Sequence, residues 1–300
     1  MSSNLLKVYY YKYPNFGDML NEQILTDVFH LNWEYADFST SDLIMLGSLM
    51  DKLLDKGRNG KKFQEIQKQA DKAHPIHVWG TGMLFQYNGI EQHPVRPLII
   101  HALRGELTRA QLSASFRQEI SCVLGDPGLL APLIVPAAEK QWDVGIVPHY
   151  VDEKEPVFQR MKKVYPNSVI IDVGADPKTV LRQISQCRTI FSTSLHGIIT
   201  ADAYNIPNCW CEVSDRILGN GYKYHDYFSS FGTDREPFDL RQGILPDPDK
   251  HCRTSFSSYR EVRKKQRELL QCFPYAEQKT GIKKLFSHTP TAGPTKVECL

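Results

Sequence analysis

Ser192-Thr-Ser-Leu-His-Gly197 gathers several groups able to act on an anion. An apolar run, Thr189 to Thr193, enters it and a helical pattern from about Leu195 to Tyr204 leaves it, so a strand passes into a helix without a spacer. Unpaired N–H groups at such a helix start attract phosphate or carboxylate oxygens. Gly197 permits close approach to the backbone, Ser192, Thr193 and Ser194 can cap the helix or donate to a ligand, and His196 falls where the anion would lie. The positive helix end disfavours an imidazolium while a bound anion favours it, so His196 is expected to gain a proton when an anionic substrate arrives. That suits a general acid. The alternative is an imidazole that only hydrogen-bonds the helix start.

Four other groups follow apolar runs. Arg104, after Leu98 to Ala102, can fork onto a phosphate or carboxylate, or instead pair with Glu106 or an aspartate. His149, after Asp143 to Val147, is expected either to face His196 as a base or to be structural. In Asn15-Phe-Gly-Asp18, Gly17 would give the turn and Asp18 either the helix cap or a second candidate base. Gly80-Thr-Gly82 resembles part of a phosphate-binding turn, but without the full G-x-G-x-x-G it speaks against a dinucleotide. Asp126-Pro-Gly128 reads as a turn, and Asp247-Pro-Asp249, with no strand before it, as a loop.

Positioning these groups falls to short apolar strands alternating with amphipathic helices, the pattern of an α/β protein with parallel sheets. Strands are expected at Lys7 to Tyr11, Leu43 to Leu46, His77 to Trp79, Leu98 to Ala102 and Ser121 to Leu124, with helices near Asp18 to Phe29, Phe63 to Ala73 and Glu106 to Leu112. A second series starts near Trp142, with strands at Asp143 to Val147, Ser168 to Val173 and Thr189 to Thr193. Asp176-Pro177 predicts a capped helix start, and Ser258-Tyr-Arg-Glu261 a capping box before a closing helix. Pro132 to Lys140 reads as the link, which gives an N-terminal domain at 1–139, a C-terminal domain at 140–286 and a disordered Thr, Pro, Ala and Gly tail at 287–300. In such sheets ligands bind at strand C-termini, here toward a shared cleft.

The bulk composition removes several function classes. The 300 residues carry 36 lysines and arginines against 34 acidic residues, a net charge of +2 that gives no reason to expect nucleic acid. The apolar runs are far shorter than the roughly 20 residues a membrane span needs, and the polar start Met1-Ser2-Ser3-Asn4 is not expected to be a secretory signal. Seven cysteines with no C-x-x-C pair disfavour disulfides and a metal site, and Cys209 and Cys211 read as packing residues on one strand face. A reducing, cytoplasmic compartment is expected. Arg260, Arg263, Lys264, Lys265 and Arg267 make the 258–273 helix basic, as a solvated face or as a contact with the inner face of a membrane.

Taken in order, Asn15-Phe-Gly-Asp18, Gly80-Thr-Gly82, Ala102-Leu-Arg-Gly105, Leu124-Gly-Asp-Pro-Gly128 and Ser194-Leu-His-Gly197 with Ala201-Asp-Ala and Pro207 resemble the polysaccharide pyruvyl transferase family over about residues 8 to 210. The resemblance implies two Rossmann-like domains facing a cleft as in GT-B glycosyltransferases. It also implies phosphoenolpyruvate as donor with no separate cofactor, and an acceptor sugar on a lipid-linked or nucleotide-linked precursor. It makes His196 the proton-transferring residue and Arg104 the donor-binding cation. Many members carry arginine two positions before this histidine, where this chain has Ser194, so donor binding is expected to rest on Arg104, the helix start and His149. The expected site therefore joins His196, His149 and Asp18 for proton transfer with Arg104, Ser192, Thr193, Ser194, Gly197, Asn15, Gly17, Gly80, Thr81 and Gly82 around the donor. The same architecture would serve a nucleotide-sugar glycosyltransferase or a non-catalytic scaffold.

Overall fold

Residues 5–55, 74–87, 92–276 and 293–298 are described in the structure, a computed structural model. The helix expected at 63–73 lies outside them. Strands in the first half are β1 (Leu6–Tyr9), β2 (Trp33–Tyr35), β3 (Leu43–Ile44), β4 (Leu54–Asp55), β5 (Ile76–Thr81), β6 (His93–Pro94), β7 (Leu98–Leu103) and β8 (Val123–Leu124). The second half holds β9 (Trp142–Val147), β10 (Ser168–Ile170), β11 (Cys187–Ser192), β12 (Asn208–Glu212) and β13 (Phe238–Asp239), and β14 (Thr295–Val297) lies near the C-terminus.

One sheet has the order β14-β7-β5-β3-β1-β2, with β8 also on β7, and the other runs β10-β9-β11-β12-β13. Within these two sheets every pairing but β14 on β7 is parallel. A small antiparallel ribbon joins β4 to β6. Parallel strands covered on both faces need near-continuous apolar sequence, and β5 and β7 supply it. The tail departs from its expected disorder: Val297 sits opposite Leu98 and is buried, so a short stretch in a Thr- and Pro-rich region covers a sheet edge.

Local signals set the helix starts. Asp176 accepts the Thr179 N–H (3.0 Å) with Pro177 in the first turn, and Val180, Leu181 and Ile184 form the buried stripe. Ser258 and Glu261 make a reciprocal capping box for the Tyr259–Cys272 helix. That helix follows the second sheet in sequence yet packs on the first. Trp79 Nε1 donates to the Leu269 carbonyl (3.1 Å), Gln266 to that of Leu129 (2.8 Å), and Phe273 stacks on Phe29 with centroids 3.7 Å apart. One apolar cluster accordingly runs from Val8, Leu46 and Trp79 through Val147, Leu195 and Ile198 to Leu269 and Phe273, tying the two sheets together. The irregular link between the series narrows to 135–141, because Pro132 lies inside a short helix, Ala131–Ile134.

Candidate active site

Strand ends from both sheets converge on a cleft of about 510 Å³ whose walls include Asn15, Asp18, Arg104, His149, Ser194 and His196. A larger groove of about 990 Å³ lies beside it, bounded by Phe85, Gln111 and Tyr222, and contains none of these groups. Chemistry rather than volume selects the smaller one.

His196 sits in the first turn of the Leu195–Ala203 helix, directly after β11. Its ring lies against the other sheet's first helix, where a β-carbon on Gly17 would come 2.1 Å from His196 Nδ1. Gly17 is thus the seat of the imidazole rather than a donor contact or a turn, since the helix begins one residue earlier, at Phe16. Nε2 is shut off from solvent and has no hydrogen-bond partner among the described residues. Burial, then the charges of Lys223 and Arg104, push the His196 pKa from 6.5 down to about 3, so the ring is neutral.

Asp18 does not cap the helix. Asn15 does, accepting the Asp18 N–H (3.2 Å) while its amide donates to Asp18 Oδ2 (2.5 Å). Burial raises the Asp18 pKa from 3.8 to about 6, against the opposing pull of Asn15 and Lys223. A carboxyl that titrates near neutrality can exchange protons under working conditions.

Arg104 is placed differently from a free clamp. Its Nε pairs with Asp226 Oδ2 at 2.8 Å, Nη1 donates to Ser48 Oγ (2.7 Å) and Nη2 to the Met83 carbonyl (2.6 Å), and the side chains of both ion-pair partners are fully buried. Asp226 also accepts the Thr108 N–H and hydroxyl, each at 2.8 Å. Glu106, the other partner expected for Arg104, binds Arg109 (2.6 Å) instead. The guanidinium therefore reaches the cleft with its charge balanced by a partner 122 residues away.

The glycine turn after β5 serves this pair. A β-carbon on Gly82 would lie 2.5 Å from Arg104 Cζ, and Gly80, at φ +84°, would drive one into Pro127 at 2.3 Å. Thr81 Oγ1 donates to the Gly47 carbonyl (2.8 Å) and accepts the Leu49 N–H (3.1 Å). Gly80, Thr81 and Gly82 are not among the residues lining the cleft. Ser192, Thr193 and Gly197 are likewise committed to the turn. Ser192 Oγ donates to the Ser194 carbonyl (2.8 Å), Thr193 Oγ1 accepts the His149 N–H (2.7 Å), and a β-carbon on Gly197 would meet Ser192 Oγ at 2.3 Å. Ser194 makes no side-chain cap, which leaves the start of the Leu195–Ala203 helix uncapped at the cleft wall. Asp126 and Asp247 each cap a short helical turn.

His149 faces the same space. Its Nδ1 accepts the Val151 N–H (3.4 Å) and its Nε2 lies 3.4 Å from Lys223 Nζ. Burial, Lys223 and then His196 lower its pKa to about 3. Lys223, which sequence reasoning missed, stands in the first turn of the Tyr222–Ser229 helix. Burial and Arg104 pull its pKa from 10.5 to about 8, opposed by Asp18 and Asp152. The sequence carried one signal for it: a lysine two positions after Gly219-Asn-Gly221 gives the first turn of a helix the wrong charge for that end. Ser48, Lys52, Tyr150 and Arg216 also line the cleft unforeseen, and Arg216 is tied to Asp152 (2.8 Å) and Glu155.

A parallel α/β chain with histidine, carboxyl and cation groups at its strand ends is the setting of a group-transfer site. The family model for polysaccharide pyruvyl transferase matches residues 4–215, and the chain belongs to that family. It is 32% identical over 167 residues to uncharacterized protein L143 of Acanthamoeba polyphaga mimivirus, covering 54% of this chain and 56% of that one. It is 29% identical over 104 residues to the succinoglycan biosynthesis protein ExoV of Rhizobium meliloti (strain 1021), covering 27% of this chain and 32% of that one. The chain thus spans about half or less of the length of these curated relatives. A solved structure of a functionally uncharacterized protein from Klebsiella pneumoniae aligns over 75% of this chain and 87% of its own, at 11% identity and a TM-score of 0.42.

Proposed function

We propose that this chain moves the enolpyruvyl carbons of phosphoenolpyruvate onto two hydroxyls of a sugar in a glycan precursor, forming a pyruvate ketal and releasing phosphate. Family membership and the name of the Rhizobium relative support the reaction class. The observation that carries the site assignment is His196, neutral, with Nε2 lacking a partner among the described residues, in a cleft that also holds Asp18 and Lys223.

Binding of the anionic donor opposes the positive field of Lys223 and Arg104 and raises the proton affinity of His196. His196 takes up a proton from solvent as its affinity rises and passes it to the donor's methylene carbon, C3, which becomes a methyl group and leaves C2 electron-poor. One sugar hydroxyl adds to C2 and gives up its proton. The second hydroxyl displaces phosphate from the same carbon and gives up its own. Asp18 is the nearer fit for the base, because its carboxyl titrates at about 6, whereas the ring nitrogens of His149 lie 3.4 Å from Val151 N–H and Lys223. In this proposal the two sheets act as Rossmann-like lobes, with the domain change near residue 140 and the cleft between them as in GT-B enzymes.

Among the described residues no helix is long and apolar enough to cross a membrane. Work on a lipid-linked acceptor would place the chain at the inner face of the membrane through Arg260, Arg263, Lys264 and Arg267, which are exposed at helical spacing. Lys265 is turned inward and donates to the Leu124 carbonyl (2.8 Å).

A coupled phosphate assay with phosphoenolpyruvate and galactosyl, mannosyl and N-acetylhexosaminyl acceptors tests the reaction. Release of phosphate that needs both substrates is the expected result. Calorimetric binding of nucleotide sugars in place of phosphoenolpyruvate would move the assignment to a glycosyltransferase.

A further inference from the structure

Arg104 and Lys223 both reach the cleft, but among the described residues only Arg104 has a carboxylate in contact, while Asp18 and Asp152 act on Lys223 from beyond ion-pair distance. Arg104 is neutralised by Asp226 at 2.8 Å and spends all three nitrogens on protein acceptors. Lys223 has no ion-pair partner among the described residues. Its neighbours are His149 Nε2 at 3.4 Å and the face of the Tyr224 ring, 5.4 Å from Nζ. We propose that Lys223 is the residue that receives the phosphate group of the cleft's anionic substrate, with the uncapped first turn of the Leu195–Ala203 helix as the opposite wall.

Three observations support this. A largely enclosed ammonium with no carboxylate in contact is costly, and such charges persist where an anion completes them. The helix field works against a cation in the first turn, and the Tyr222–Ser229 helix has no acidic residue there to offset it. The turn that delivers the lysine is closely specified: Gly219, Asn220 and Gly221 all have positive φ (94°, 46° and 77°), which glycine and asparagine accept, and a β-carbon on Gly219 would lie 2.2 Å from the Leu84 carbonyl oxygen. Lys52, by contrast, is exposed at the rim, and Arg216 is held by Asp152 and Glu155. An incoming phosphate at Lys223 would lie beside the two imidazoles whose proton affinity the lysine now suppresses, so the same contact that binds the anion also lifts that suppression.

The anion site is inferred from geometry and charge, and only the identity of the donor rests on the phosphoenolpyruvate proposal. The test is calorimetric titration of inorganic phosphate into the full chain and into Lys223→Met and Lys223→Arg, with melting temperatures alongside. The wild type should bind phosphate, Lys223→Met should lose about tenfold or more in affinity, and Lys223→Arg should keep most of it. A purely structural lysine would cost stability when removed, whereas here Lys223→Met should melt at the same temperature or higher. Should that variant fail to fold, Lys223→Gln serves in its place. Equal phosphate affinity in wild type and the uncharged variant, or no phosphate binding by the wild type, overturns the proposal. Lysine-dependent phosphate binding that phosphoenolpyruvate does not displace would uphold the anion site and sink the donor assignment.

Discussion

The two sheets furnish the cleft with groups in opposite states. On the first, Arg104 is locked by Asp226, Ser48 and Met83, and Asp18 is held by Asn15. On the second, among the described residues His196 Nε2 has no partner, Ser194 makes no side-chain cap, and Lys223 has no carboxylate in contact. Satisfied groups hold a shape, while unsatisfied ones carry a cost that a substrate can relieve. Arginine at a strand end therefore behaves here as a fixed wall, and the lysine and histidine across from it as the responsive part.

The sharpest way to break that contrast is to unlock the wall. Asp226→Ala leaves a buried guanidinium unpaired and should destabilise the fold by roughly 3–5 kcal/mol, read by urea unfolding, where Lys223→Met costs nothing. Phe273→Ala, which empties the stack on Phe29 and Trp79, should cost about 3 kcal/mol in the same assay and loosen the helix that returns to the first sheet. Gly17→Ala should act on chemistry more than on stability. Its β-carbon would displace the imidazole, and kcat should fall on the order of 100-fold with a small change in melting temperature.

The smallest effect concerns Asp18. Its pKa is raised from 3.8 to about 6, so between those values the folded chain holds more protons than the unfolded one. The group therefore subtracts from stability as pH rises through that window, and the deficit is complete above it. Melting curves of wild type and Asp18→Asn should differ least below pH 3.8 and separate up to about 6, with the variant the more stable at neutral pH. Curves that stay parallel would remove the burial argument for this carboxyl.

Much of the frame could be read from residue order alone. β7 was expected to end at Ala102 and ends at Leu103, the Asp176-Pro177 cap holds a helix, and Ser194-Leu-His-Gly197 stands at the strand-to-helix turn. These features depend on local sequence. The ion pair of Arg104 does not, because nothing near residue 104 points to a partner at 226. Lys223 escaped for a related reason: Tyr222, Tyr224, Tyr227 and Phe228 around it are all buried, so its helix shows no clean apolar stripe. β14 was hidden by composition, since its three residues are held by distant partners, the edge of β7 with Gln118 and Ser121.

The central claim is that His196 performs proton transfer in this cleft, and His196→Ala tests it most directly. With phosphoenolpyruvate and an accepted sugar, the variant should release no phosphate above background while its melting temperature and circular dichroism match the wild type. Wild-type rates of phosphate release from a folded His196→Ala chain would contradict the account.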